Sequence, residues 1–291
     1  MEKEGINKQL SLFDIELPPQ TKADEIFQKE QKNNILEKEE VKEKKISFAR
    51  VPKSEPRRKY EKIPTVQDIL KLLDKGTYRI GRHEFLADVF QCGAIAISNR
   101  FDLRQAEERE KVYLSIIKKY DKDMQQLIAE MFTQIYILLT SQVDYKFNDY
   151  LGEIYMLSET TNSKAGQFFT PYSVSKACAY MSIGEKMVNE YIEQDKILKM
   201  AEPSCGSGGM VIAAVDVLYN NYNFNYSRNL FVECSDIDAR CVHMAYLQLA
   251  LVGIPAVVYQ RDTLTMETWQ HWETPAYIMQ YLRFKNFVKN S

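Results

Sequence analysis

Apolar residues fall three and four apart from residue 62 to residue 160, the spacing of one buried helix face. Val66, Ile69, Leu70, Leu72 and Leu73 follow Pro64 and Thr65, and Asp68 stands three residues after Thr65. This predicts a helix with Thr65 as its N-cap. A second stripe runs through Phe85, Leu86, Val89, Phe90, Ala94 and Ile97. A third, between Glu107 and Tyr120, carries Val112, Ile116 and Ile117. A fourth, between Met124 and Leu139, carries Leu127, Ile128, Met131, Ile135 and Leu138. These stripes read as core rather than as a ligand box. Beyond residue 195 the pattern changes. Lys196-Ile197-Leu198-Lys199-Met200 predicts a short strand, 211–218 a helix and 229–235 a second strand. Residues 240–252 predict a helix, apolar along Met244, Leu247 and Leu251 and ending at Gly253, and 256–260 predict a third strand. Helices followed by alternating strands and helices predict a helical domain over 63–160, then an α/β core with a parallel sheet over 161–264.

The two ends read differently. From Thr21 to Lys62 Lys and Glu dominate, and such a segment buries too little apolar surface to offset ordering entropy. Residues 1–62 are therefore expected to be a disordered, charged tail, with a transient helix around 26–45. Its exception is Gln9-Leu10-Ser11-Leu12-Phe13, an apolar triplet in polar surroundings and so a candidate peptide anchor. The alternative is a segment that folds back on the domain. Residues 265–291 are expected to be a C-terminal tail.

The chain has 291 residues, a net charge of −2 and 45% hydrophobic residues, with a pI near 6.1. That balance excludes a uniformly basic nucleic-acid binder but not a local basic face. Arg57-Arg58-Lys59 and Lys118-Lys119 could each touch phosphates, though solvated charge is the simpler reading. No run of about eighteen apolar residues occurs, so no membrane span is expected. Met1-Glu2-Lys3-Glu4 opens no signal core. The 5 cysteines, at 92, 178, 205, 234 and 241, follow no pattern. They read as reduced, in a cytoplasmic protein. With 3 histidines and no Cys-x-x-Cys, no metal site is expected.

The chemistry concentrates after the first strand. Ala201-Glu202-Pro203-Ser204-Cys205-Gly206-Ser207-Gly208-Gly209 joins that strand to a helix, the opening of a nucleotide-binding βαβ unit. It is not a phosphate loop, because no Lys-Ser/Thr pair follows, and not Gly-x-Gly-x-x-Gly. A ligand with an uncharged ribose and an amino group suits it; so does a packing turn. Glu202 closes the first strand, Asp236-Ile237-Asp238 the second and Arg261-Asp262-Thr263-Leu264 the third. Open α/β sheets bind ligands at the carboxyl ends of their strands, where an acid after the second strand accepts from ribose hydroxyls. Acids from three successive strands converging on one edge favour a ligand site. Upstream, Gly166-Gln167-Phe168-Phe169-Thr170-Pro171 places two aromatics before a helix over 174–181, with Thr170 or Ser173 as its expected cap.

Taken in order, these pieces resemble the adenine-N6 DNA methyltransferases, above all the modification subunits of type I restriction-modification systems. In that family Gly-x-Phe-Phe-Thr-Pro, Asp/Glu-Pro-x-Cys-Gly-Ser-Gly-Gly, an acidic turn and Gly-Asp-Thr-Leu occur in this order. Here they stand at 166–171, 202–209, 236–238 and 261–264, with Arg261 in place of the Gly. Leu151-Gly152-Glu153-Ile154-Tyr155 is similar to the segment closing the family's helical domain. The resemblance implies a Rossmann-like methyltransferase core with a truncated sheet, DNA as substrate and S-adenosyl-L-methionine as cofactor. Phe169, Thr170, Glu202, Pro203, Ser204, Cys205 and Gly206 would hold the cofactor's methionine part. Asp236 would hold its ribose and Asp262 its adenine amino group. Residues 9–13 resemble the motif by which bacterial DNA-processing proteins dock on the sliding clamp; Gln9, Leu10, Leu12 and Phe13 would fill the groove.

One motif departs from the pattern. Active members carry Asn/Asp-Pro-Pro-Tyr/Phe after a fourth strand, where it grips the target amino group and stacks on the flipped base. This chain has Thr274-Pro275-Ala276-Tyr277, without the Asn or the second Pro, and with no β-rich run expected before it. Thr274, Pro275 and Tyr277 are the only echo of the catalytic residues. The sequence thus leaves two main readings: a DNA adenine methyltransferase that is divergent or is completed by a specificity or other partner subunit, and a non-catalytic, cofactor-binding scaffold recruited to the clamp. A methyltransferase acting on another substrate is a third.

Overall fold

Thr65 and Asp68 cap the first helix as the sequence predicts. The Asp68 backbone N–H donates to Thr65 Oγ1 (3.2 Å) and the Thr65 N–H to Asp68 Oδ2 (3.1 Å). The computed structural model describes residues 62–76, 81–142, 146–158 and 169–290, with side chains to 282. The clamp-like peptide 9–13, the charged segment with Arg57-Arg58-Lys59, and Phe168 lie outside the described residues.

The helical part comprises α1 (Val66–Gly76), α2 (Arg82–Ser98), α3 (Ala106–Ile117), α4 (Lys122–Thr140) and α5 (Tyr150–Ser158). Helix α2 is its hub, with Phe85, Leu86, Val89 and Phe90 fully buried. Next come α6 (Tyr172–Ser182), α7 (Glu185–Glu193), β1 (Leu198–Glu202), α8 (Gly209–Tyr222) and α9 (Tyr226–Asn229). Then follow β2 (Leu230–Asp236), α10 (Ala239–Val252), β3 (Ala256–Arg261), β4 (Thr268–Glu273) and α11 (Pro275–Asn290). Helix α6 starts at Pro171 with no side-chain cap, so neither Thr170 nor Ser173 has the predicted capping role. Helix α10 ends, as predicted, at a left-handed Gly253 (φ 82°).

The sheet has four strands in the order β1-β2-β3-β4. Strands β1, β2 and β3 run parallel, with Leu198 opposite Leu230 and Val232 opposite Ala256. Strand β4 returns antiparallel along β3, with Val258 opposite Trp272. Of the parallel strands, β2 and β3 are the buried, aliphatic ones, with Leu230, Val232, Ala256 and Val258 all fully buried, whereas β1 at the edge is only half-buried. Outside the sheet, Ala179 of α6 packs on Ala213, Ala214 and Val217 of α8, with Met200 of β1 beneath.

One expectation fails here. The segment after residue 264 is not a tail: it forms β4 and α11. The described helical and α/β residues fall within one compact unit. The junction explains both outcomes. Trp272 of β4 is buried against His243 and Tyr246 of α10, with ring centroids 5.2 Å apart in each case. Arg109 of α3 lies 4.0 Å over the Trp272 ring and donates through Nη2 to the His271 carbonyl (2.9 Å). Its Nη1 donates to Ser98 Oγ and pairs with Asp102 Oδ2 at 3.3 Å. Arg104 bridges Asp102 to Glu273. Burial at this junction holds His243 neutral, its pKa pushed down to about 4.

Candidate cofactor site

The carboxyl ends of β1, β2 and β3 are tied together by the glycine loop. Cys205 N donates to Ser235 O (2.9 Å), and Gly206 N donates to Asp236 Oδ2 (2.9 Å). The Pro203 carbonyl accepts from Thr263 Oγ1 (2.6 Å) and Ser235 Oγ (3.2 Å). Gly208 N closes the turn on Cys205 O (2.8 Å), and the loop then enters α8. Gly206 (φ 53°) and Gly208 (φ 95°) both adopt the left-handed region, where a β-carbon is strained. A Cβ at Gly206 would also lie 3.0 Å from the Phe169 ring. Phe169 therefore roofs the loop, and it rests edge-on against Tyr155 (5.6 Å).

The three acids differ in what holds them. Glu202, half-buried, accepts from Ser204 N at 3.2 Å. Asp236 accepts from Gly206 N and, through Oδ1, from Asp238 N (2.9 Å). A carboxylate offers about four lone-pair sites, so two remain beyond those bonds. Asp262 turns one oxygen back on its own loop, accepting from Leu264 N (2.8 Å) and Thr265 N (3.2 Å). Those N–H groups hold its carboxyl below the ordinary aspartate range. Cys205 is no nucleophile: the neighbouring Cys234 thiol and burial push its pKa well up, keeping it a neutral packing group.

The structure thus gathers Phe169, Glu202, Pro203, Ser204, Cys205, Gly206, Asp236 and Asp262 at one sheet edge, with exposed Thr170 beside Phe169. It does not bring Thr274, Pro275 or Tyr277 there. Thr274 Oγ1 donates to Ile254 O (2.8 Å) and accepts from Ala256 N (2.9 Å). Both partners lie at the amino end of β3, opposite the end that carries the glycine loop. Thr274 caps α11, which opens on Pro275, and Tyr277 packs on Phe231 at 5.4 Å. The catalytic echo is a helix start.

Sequence reasoning passed over Ile237 and Leu264, bare at 61% and 96% exposure beside Asp236 and Asp262. An apolar side chain inside an acidic turn is the signal that finds them, because such a residue otherwise avoids water. Asp236, with acceptor capacity left, and these two apolar surfaces fit a ligand carrying ribose hydroxyls and a flat base. The left-handed Gly206 beneath Phe169 provides a close backbone approach. Among the described residues no cluster of His, Cys, Asp or Glu could hold a metal ion, and no helix is long and apolar enough to cross a membrane.

Comparison with known proteins agrees with this arrangement of motifs. Residues 146–290 match the family model N-6 DNA Methylase. No curated protein matches the sequence. Among solved structures, the chain is similar to a Listeria monocytogenes protein assigned to the class I S-adenosylmethionine-dependent methyltransferases. That match has a TM-score of 0.37 and 16% identity, over 75% of this chain and 69% of that one. It is also similar to the methyltransferase subunit of a type I restriction-modification system from Streptococcus thermophilus. Here the TM-score is 0.36 and the identity 18%, over 70% of this chain but only 40% of that one. Through residues 146–290, which hold the glycine loop and its three acidic strand ends, the chain belongs to the N-6 DNA methylase family.

Proposed function

We propose that the chain is the cofactor-binding component of a DNA adenine methyltransferase and binds S-adenosylmethionine at the carboxyl ends of β1, β2 and β3. The observation that carries this reading is the lock between loop and second strand: Gly206 N on Asp236 and Cys205 N on the Ser235 carbonyl. It sets a left-handed glycine, a carboxylate with spare acceptor sites and an aromatic roof around one space. When bound, the cofactor supplies an electrophilic methyl group. Around it, Asp236 would orient the ribose and Ile237 and Leu264 would flank the base. Phe169, Thr170 and residues 202–206 would hold the methionine part, and Asp262 would use its remaining oxygen on the adenine amino group.

Transfer is assigned to a partner. Thr274 is spent on the amino end of β3, and the other described residues offer no Asn-Pro-Pro-Tyr/Phe motif in its place. Among the described residues the outer edge of β1 pairs with no strand, a main-chain surface of the kind that accepts another strand. The test is titration of S-adenosylmethionine into the purified chain, followed by labelled methyl transfer to adenine-containing DNA with and without its partner subunit. Cofactor binding alone, and transfer only with the partner, are the expected results.

A second reading, the clamp-recruited scaffold, is favoured by Gln9-Leu10-Ser11-Leu12-Phe13. On that reading, replacing Leu12 and Phe13 with Ala abolishes pull-down by the bacterial sliding clamp. Retained pull-down would make the peptide incidental.

A further inference from the structure

Beneath the glycine loop lies a buried acid that none of the preceding chemistry uses. Asp149 immediately precedes α5, and its Oδ1 accepts from Gly152 N (3.0 Å), capping that helix. The same oxygen accepts from Gln248 Nε2 of α10 (2.8 Å). Its other oxygen, Oδ2, accepts from Ser207 Oγ, inside the glycine loop. Gln248 Nε2 also donates to the Ser207 carbonyl (2.7 Å), and Gln248 Oε1 accepts from Leu151 N (3.2 Å). Asp149, Ser207 and Gln248 are all buried. Among the described residues the carboxylate's hydrogen-bond partners are neutral N–H and O–H donors, with no cation among them.

The space around it is cut to fit. A Cβ at Gly209 would stand 2.6 Å from Asp149 Oδ2, and one at Gly152 would stand 2.6 Å from Ser207 Oγ. Glycine at both positions lets the start of α5 and the start of α8 close on one carboxylate. A helix cap needs only the Gly152 bond. The bonds to Ser207 and Gln248 reach across sequence separations of 58 and 99 residues, and they converge on the residue that follows Gly206.

We propose that Asp149 is a positioning residue: through Ser207 and Gln248 it sets the shape of the glycine loop from beneath, and so sets the chain's affinity for S-adenosylmethionine. The affinity part rests on the cofactor reading above; the loop-shape part stands without it.

The experiment measures amide hydrogen exchange and S-adenosylmethionine binding together on the full chain, comparing wild type with Asp149→Ala, Asp149→Asn and Ser207→Ala. In Asp149→Ala the amides of Cys205, Gly206 and Gly208 exchange about tenfold faster, the scale of a lost hydrogen bond to a charged group. Those of β2 and β3 do not change. Cofactor affinity falls by a similar factor. Asp149→Asn recovers most of both, because its single oxygen still serves Gly152 and Gln248 while its amide donates to Ser207 Oγ. Ser207→Ala leaves the α5 cap intact and loosens the loop alone, and it decides the matter if Asp149→Ala does not fold. Faster exchange confined to the first turn of α5 would overturn the proposal. So would faster loop exchange with unchanged affinity in a chain that binds the cofactor. If the wild type binds no S-adenosylmethionine, the cofactor reading fails by itself, and loop exchange alone decides whether Asp149 holds the loop.

Discussion

Asp236→Ala is expected to weaken S-adenosylmethionine binding by roughly 1–3 kcal/mol, the usual cost of leaving buried polar groups unmatched. Two losses combine. Gly206 N loses its acceptor, which frees the loop at its left-handed residue. On the proposed cofactor reading, the ribose hydroxyls would also lose the carboxylate sites that the two backbone N–H groups leave over. Asp236→Asn keeps an oxygen for one of these tasks and is expected to fall between wild type and Ala. Calorimetric titration at a temperature where all three proteins are folded makes the comparison. Unchanged affinity in the Ala variant would remove Asp236 from the site.

Arg109→Ala is expected to destabilise the fold by about 3–5 kcal/mol, the cost of removing one member of a buried ion pair. The Arg109 and Asp102 side chains are 8% and 0% exposed, so the Asp102 carboxylate, left with Arg104 and Gln105, loses its one buried cationic partner without regaining full hydration. The variant also loses the guanidinium stack on Trp272 and the bond to the His271 carbonyl. Arg104→Ala is the control. That side chain is 67% exposed, so water screens its pairs with buried Asp102 and Glu273 and a smaller loss is expected. Urea unfolding followed by circular dichroism reads both. A loss under about 1 kcal/mol for Arg109→Ala would mean that β4 is held by its ladder with β3 and not by the helical part.

That junction marks where the sequence stops being readable. The glycine loop, the three parallel strands and the C-cap at Gly253 are legible because each depends on residues adjacent in the chain: an apolar run, a turn, a helix start. Strand β4 is not. Thr268-Trp269-Gln270-His271-Trp272-Glu273 contains one deeply buried position, Trp272, and the groups that bury it come from α3 and α10. A strand stabilised by partners so distant in sequence leaves no alternating apolar signature, so 265–291 reads as a tail. Asp149 escapes notice for the same reason. Alone it is an ordinary helix cap, and its bonds to Ser207 and Gln248 exist only once the helices have packed.

The same comparison sorts the candidate site residues. Asp236 is informative from its place after the second strand, and it stands where the loop needs it. Asp262 reads as equivalent in sequence, yet one of its oxygens is committed to its own turn. Thr274-Pro275-Ala276-Tyr277 echoes a catalytic motif by composition alone. Its hydrogen bonds to Ile254 and Ala256 set it at the far end of β3, because β4 turns back along that strand instead of entering the sheet in parallel.

The most direct test is calorimetric titration of S-adenosylmethionine into the full chain. Binding with a dissociation constant in the micromolar range, about −8 kcal/mol, is the result expected of a cofactor-binding component. No binding at millimolar ligand would contradict it, leaving a glycine loop and three acidic strand ends that serve packing alone.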